Sequence, residues 1–491
     1  MTDYGSLSSV NNNSILNEGN GSSGTKGEED ESRPLLCPPP LENPPEAARE
    51  DEETYQDMEE GRHPHAVVMT VRQQDVHALS NCDTMIHLLK GNIGTGILAI
   101  PNALQNSGLI FGVSGLVCMS SVCIYCMHKL VHSSHELCRR LGQHSMTYPE
   151  VAGNAFKTSN SSKLHILSPL AKNIVKLFLC IAQLGFCCVY LLFIAQHLEK
   201  LFKHRLGDIR ILWYLATLLI PTCALCSVRN LKYLSPISMF ANFLQFVGLA
   251  LSFFYLLQDL PDDWDGDYYF SSWKQIPLYF GTAIYAFEGI GVVLPLENQM
   301  RTPQELRGWN GVLNTSMTIV SCLYIAVGFF GYLRYGNHLD GSITLKFPEG
   351  EWLAQIIFFS MCLAIFFSYA LQFYVPLKTI LPFVHKCVPE ERHLLAEYVL
   401  RYTLVLFTFC CAAAIPQLDL LISLVGAVSS STLALMAPAI IDTITFWPNM
   451  GPYKIRFLAN LLIFSLGFIG FITGTYVSIE QIINGKSQSH H

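Results

Sequence analysis

The chain has 491 residues, of which 51% are apolar and only 14% charged, a balance that excludes an ordinary soluble domain of this size. The formal charge of −7 is unevenly spread: residues 1–80 hold 16 acidic and 5 basic side chains, about −11, which leaves about +4 for the rest. A membrane lipid environment and a small solute are the expected partners, and nucleic acid is not.

The first 80 residues are rich in Ser, Gly, Asn, Pro and Glu and cannot bury a core, so they are expected to form a disordered, acidic, cytosolic tail. The tail lacks the basic and apolar regions of a secretory signal, which leaves targeting to the first span. Within it, Glu31-Ser32-Arg33-Pro34-Leu35-Leu36 resembles the acidic dileucine signal read by clathrin adaptors, with Glu31, Leu35 and Leu36 as the recognised residues. The motif implies sorting to endosomal and lysosomal membranes.

Uncharged runs long enough to cross about 30 Å of hydrocarbon at about 1.5 Å per residue follow at 109–127, 177–198, 211–228, 233–258, 310–333, 352–377, 402–418, 420–441 and 457–479. Two further segments, about 84–104 and 275–296, qualify only if their charged and glycine-rich centres are excused. Eleven spans result: spans 1–5 at about 83–258, spans 6–10 at about 275–441 and span 11 at about 457–479, within a membrane domain at 81–481 followed by a short tail at 482–491. An odd count places the termini on opposite sides. The segments then expected inside hold 15 Lys and Arg against 8 outside, which favours a cytosolic N-terminus. The 16 cysteines fall in spans or on the inner side, so no disulfide framework is expected, and the pairs Cys123/Cys126 and Cys223/Cys226 read as small buried hydrophobes.

The two compromised spans are the informative ones. The first is interrupted by Gly91, Gly94 and Gly96, and the sixth by Glu288-Gly289-Ile290-Gly291, with Pro101 and Pro295 following at similar distances. Glycine-interrupted helices in corresponding positions of two halves point to an inverted repeat with its site near the bilayer midplane. Unwinding a helix in hydrocarbon strands backbone groups at several kcal/mol each unless they line a cavity or meet a polar ligand. The N–H groups at Gly94, Thr95 and Gly96 would open a half-helix whose positive end suits a carboxylate. Tight helix packing by small residues is the alternative reading. His87 lies seven residues before Gly94, about 10 Å along a helix, and an imidazole there can load and release a proton; a packing histidine is its alternative. Lys90 needs a membrane partner, for which Glu288 and Glu297 are candidates, and Glu288 reads equally as a coupling acid, an ion-pair member or a cap. Arg401 is expected to snorkel, and Asp442 to lie at an interface.

The strings LLKGNIGTGIL, QLGFCCVYLLF, YFGTAIYAFEGIGVVLPLENQM, GSITL, SYALQFYVP and LDLLISLVGAVSSSTLAL together resemble the proton-coupled amino acid transporter family within the amino acid/auxin permease group. The resemblance runs from about residue 87 to residue 479. It implies an all-α integral membrane protein of eleven transmembrane helices, with a five-plus-five inverted repeat (LeuT-like) and broken helices 1 and 6. It further implies symport of small neutral amino acids with protons, no cofactor other than the coupling proton, and residence in lysosomal, late endosomal or plasma membranes. The family's proton-coupling histidine matches His87, and its substrate contacts match Gly94, Thr95 and Gly96 with Phe287, Glu288, Gly289 and Gly291. Two departures concern the outside loops near 199–210 and 334–351, which hold no cysteine, and a short second outside loop. Ser368 falls where related sodium-coupled carriers place an ion-coordinating hydroxyl; a helix-packing serine is the simpler reading.

An amino acid sensor using the same site, with slow transport and a nutrient-signalling partner reading the tail, is the alternative to a carrier. An enzyme is not expected, because the chain offers no HExxH, no GxSxG and no paired membrane aspartates. A metal site is not expected either.

Overall fold

The computed structural model describes residues 78–488, apart from 208, 230, 259, 260, 262 and 263. Contacts divide the chain into Met1–Val71 and Arg72–His491, and every described residue belongs to the second unit. The sorting motif at Glu31, Leu35 and Leu36 lies outside the described residues.

The first expected span is two helices, α1 (Asn81–Asn92) and α2 (Thr95–Ser107). Ser80 starts α1 through a capping box with Asp83, and an extended Ile93 (φ −77°, ψ 100°) ends it. Residues 78–80, assigned to the tail from sequence, are part of this fold: Leu79 bridges Met300, donating to Gln299 O at 2.8 Å and accepting from Arg301 N at 2.9 Å. Helix α3 (Leu109–Leu141) follows after Gly108, whose φ of 84° any side chain would strain and whose Cβ would meet Phe270 backbone at 2.8 Å. The segment 267–269 returns there: the carbonyls of Asp267, Tyr268 and Tyr269 accept from Leu109, Ile110 and Phe111, so unpaired N–H groups of the α3 terminus are satisfied.

Helix α3 is 33 residues long, so much of the stretch between the uncharged runs at 109–127 and 177–198 is helix, including α4 (Tyr148–Lys157). Polar residues 128–141 lie on it because a helix that leaves hydrocarbon can continue in water with no break in its backbone bonding. Then come α5 (Ser168–Leu206), α6 (Ile211–Cys226) and α7 (Leu231–Leu256). The sixth expected span is also two helices, α8 (Ile276–Ala286) and α9 (Ile290–Glu297). After them run α10 (Val312–Tyr335), α11 (Trp352–Cys387) and α12 (His393–Ala414). Helix α13 (Leu418–Val425) continues through π-helical turns at Gly426–Ser430 and Thr432–Met436 into α14 (Ala437–Phe446). Helix α15 (Ile455–Gln488) closes the fold and covers residues 482–488, expected to be tail.

Among the described residues, nine helical stretches are long and apolar enough to cross a membrane. The other two expected spans are the shorter α6 and the interrupted pair α1 and α2. The interrupted spans pack together: α2 lies on α8 and α10, and α1 on α10 and α9, while α8 also packs on α13. Small residues permit it. A Cβ on Gly426 would stand 1.9 Å from Gly281 O, and one on Gly281 2.4 Å from Ser423 O.

Candidate functional site

Both breaks fall where the glycines predict them. Unwinding at Ile93–Gly94 and at Phe287–Gly289 frees carbonyls that helix continuation would have used, and three of them, Asn92 O, Ile93 O and Ala286 O, find a donor from a different helix. The Tyr324 hydroxyl of α10 lies 2.6 Å from Asn92 O and 2.8 Å from Ala286 O, so one proton is shared between the ends of α1 and α8. Gln245 of α7 donates to Ile93 O at 2.6 Å. Tyr324 is fully buried, with its ring centroid 5.0 Å from that of Phe287.

Thr95 is buried and its hydroxyl is 3.0 Å from that of Tyr285, which ties the start of α2 to α8. Gly94 carries no side-chain cap for α2, and a Cβ there would make ordinary contact with the Tyr190 hydroxyl at 3.6 Å. Gly96 is tighter: a Cβ would stand 2.8 Å from Ala286 Cα, so a side chain there must push the two interrupted spans apart. Gly289 faces Asn92, whose amide a Cβ would meet at 2.5 Å. Gly291 faces elsewhere, toward Leu179 of α5. Glu288 accepts a hydrogen bond from Ser430, which sits in the first π-helical turn; π-turns frequently mark functional sites.

The pairing of Lys90 with Glu288 or Glu297 is corrected. Lys90 donates to Ser238 Oγ of α7, whereas Glu297 meets His135 Nε2 on α3. The two residues stand on different half-helices, and each turns to the long helix beside it. Arg307 donates to His135 Nδ1 and to His132 Nδ1, both at 3.2 Å, which leaves the His135 Nε2–H to donate to Glu297. His87 stands on the exposed side of α1. Ser368 donates back to Ala364 O at 2.8 Å, as a packing serine does.

Two further placements are corrected. Arg401 does not snorkel: it is buried, paired with Glu397 at 2.7 Å, and donates to Cys226 O. Glu397 four residues before Arg401 is a sequence signal for that pair. Asp442 faces neither lipid nor water: it is fully buried between Lys129, Arg456 and Asn460. Among the described residues no group of His, Cys, Asp and Glu is placed to hold a metal ion.

Among the described residues, nine apolar membrane-length helical stretches, one of them the interrupted pair α8 and α9, define a multi-pass membrane protein in which that break faces the break between α1 and α2. Residues 77–480 match the family described as "Transmembrane amino acid transporter protein", and the chain belongs to that family. It is 35% identical over 418 residues to the "Proton-coupled amino acid transporter-like protein pathetic" of Drosophila melanogaster, covering 84% of this chain and 88% of that protein. It is 26% identical over 419 residues to the "Probable amino acid transporter skat-1" of Caenorhabditis elegans, covering 82% and 90% respectively. A solved structure described as the inward-facing conformation of Mhp1 aligns with a TM-score of 0.47 at 11% identity, over 84% of this chain and 91% of that one.

Proposed function

We propose that this transporter is a proton-coupled symporter of small neutral amino acids that works by alternating access on a five-plus-five inverted repeat, in lysosomal, endosomal or plasma membranes. The observation that carries the reading is the pair of facing breaks, with the freed carbonyls Asn92 O and Ala286 O held by one tyrosine and Glu288 placed at the second break. The substrate carboxylate meets the opening of α2 at Gly94, Thr95 and Gly96, while Phe287, Glu288 and Gly289 form the second wall and Gly291, which faces Leu179, stands outside it. His87 and Glu288 are the proton-coupling candidates. A carboxyl that passes between a closed site and water changes the cost of its charge, which is what ties a proton to movement. The name of the Drosophila relative, which includes proton coupling, supports the same reading. Sorting through Leu35 and Leu36 by a clathrin adaptor would place the carrier in membranes facing an acidic lumen, where each pH unit contributes about 1.4 kcal/mol of driving force per proton.

The test is uptake of labelled alanine and proline into proteoliposomes, with and without an inward proton gradient and with sodium absent. Gradient-dependent accumulation is expected, and His87→Ala should abolish it while binding persists. Accumulation unaffected by the gradient removes proton coupling. Saturable binding with no accumulation replaces the carrier with an amino acid sensor.

A further inference from the structure

Part of the connection between α10 and α11 is buried as deeply as the helices: Ser342, Ile343, Thr344 and Phe347 are each no more than 1% exposed. It forms a short 3-10 turn, Ile343–Lys346, packed on α2, α5 and α11. A Cβ on Gly331 of α10 would meet Pro101 of α2 at 2.6 Å and Ile343 at 3.4 Å, so the turn leans on the half-helix that follows the first break. A buried polar turn needs partners, and one of them is an imidazole. His197 of α5 is fully buried, with Nδ1 2.8 Å from Phe193 O and Nε2 2.6 Å from Thr344 Oγ1, which lies 2.8 Å from Ser342 Oγ. A carbonyl only accepts, so the ring proton is on Nδ1, Nε2 accepts from Thr344, and Thr344 accepts from Ser342. The neutral ring is held between Phe193, stacked at 3.9 Å, and the edge of Phe358 on α11 at 5.7 Å.

A second proton on this ring has no counter-charge. On α5 itself Lys200 follows one turn later and is paired with Glu349 at 2.9 Å; beside the turn, Lys346 is paired with Asp340 at 3.1 Å. The Cys362 thiol of α11 turns to Ile194 O, and Asp419 starts α13 next to Gly341. Among the described residues none of these bonds to the ring. Reversing the two hydroxyls would keep the hydrogen bond to Thr344, yet the imidazolium would stay buried beside a lysine with no carboxylate to answer it. We propose that His197 is a proton-operated latch on the turn 342–347: neutral, it seats the turn against α5, and protonated, it reaches water only when the turn leaves. Acid at this end of the molecule therefore frees the turn and withdraws Ile343 from its place beside α2. The latch stands apart from the carrier reading, and its test needs no substrate.

The experiment is hydrogen exchange of the purified full-length protein in nanodiscs at about pH 7.5 and about pH 5, each rate divided by its intrinsic value at that pH. The amides of Leu345 and Phe347 donate within the turn to Ser342 O and Thr344 O, both at 3.1 Å, and report its seating. An imidazole that titrates near 6.5 only in the open state raises the open population by up to about thirtyfold over that range. Wild-type protection at these two amides should accordingly fall by between about fivefold and about thirtyfold. In His197→Phe, which keeps the ring stack and cannot titrate, protection should be the same at both pH values. If that variant elutes as aggregate, His197→Gln takes its place, with a donor and an acceptor and no titration in this range, and the same constancy is expected. Wild-type protection that does not change with pH overturns the latch, whatever the variants do. A fall of equal size in the wild type and the variant overturns it as well, because another group then carries the response.

Discussion

At the scale of single residues, one hydroxyl, that of Tyr324, bridges the ends of α1 and α8. Gly94, Gly96 and Gly289 announce themselves because glycine inside an apolar span has a cost that only close approach or unwinding explains. Tyr324, Gln245 and Asn92 carry no such mark: one polar group in an apolar helix has no period, and the partners of Tyr324 lie 232 and 38 residues away. Tyr324→Phe tests the tie. It keeps the ring against Phe287 and removes only the hydroxyl, leaving two buried carbonyls short of a donor at about 1–3 kcal/mol each. Purified variant protein should unfold several degrees below wild type, and alanine uptake should fall with it. Wild-type melting would mean that the two half-helices do not depend on this bond.

At the scale of elements, helix lengths departed from the sequence reading for one reason: hydropathy records where hydrocarbon ends, not where backbone bonding ends. Thus α3 continues to Leu141 and α15 to Gln488. The contacts that hold element ends are equally invisible to periodicity. At one end of the molecule, Leu79 pairs with the segment after α9, and Thr302 Oγ1 donates to Asn81 Oδ1 at 3.0 Å, so the start of α1 is fastened to the exit of α9. The amides of Leu79 and Arg301 should therefore exchange hydrogen slowly and together, and Thr302→Ala should speed both. Independent exchange of the two would dissolve the fastening. At the other end of the molecule, Lys200 of α5 reaches Glu349 in the loop before α11 at 2.9 Å, with Lys203 at 3.7 Å. The hydrogen bond from Lys200, helped by both ammonium charges, holds the Glu349 carboxyl below the usual carboxylate range against a smaller opposing effect of burial. A depressed pKa adds stability above the unfolded value of about 4.3, and that stability is lost as pH falls through the folded value. The melting difference between wild type and Glu349→Gln should then be constant from neutrality to about pH 5.5 and vanish only in stronger acid. A difference that disappears between pH 7 and pH 6 contradicts this pairing, and with it a tie that survives an acidic lumen.

At the scale of the whole molecule, the buried charges join helices that are far apart in sequence. Asp442 of α14 is fully buried, 3.0 Å from Lys129 Nζ on α3, 2.9 Å from Arg456 Nε on α15 and 2.8 Å from Asn460 Nδ2. The Arg456 guanidinium lies 3.8 Å over the Phe446 ring, which stacks at 4.7 Å on His132, the imidazole that shares Arg307 with His135. One polar layer therefore runs from α15 through α14 to α3 and on to Glu297 at the end of α9. An aspartate at a span end reads as an interface residue because its partner, 313 positions away, leaves no trace in a local window. Such a pair adds little stability over apolar packing, yet breaking it leaves a charge with no answer. Asp442→Leu strands Lys129, which is 4% exposed, and should cost about 3–5 kcal/mol. Lys129→Met with Asp442→Leu should recover most of that loss, because the second charge is removed as well, while Arg456 at 26% exposure can turn to water. Unfolding midpoints of the two single variants and the double variant in one detergent decide it. A double variant no more stable than Asp442→Leu would mean that Asp442 acts mainly through Arg456 and Asn460, and that α3 is held to α14 by packing alone.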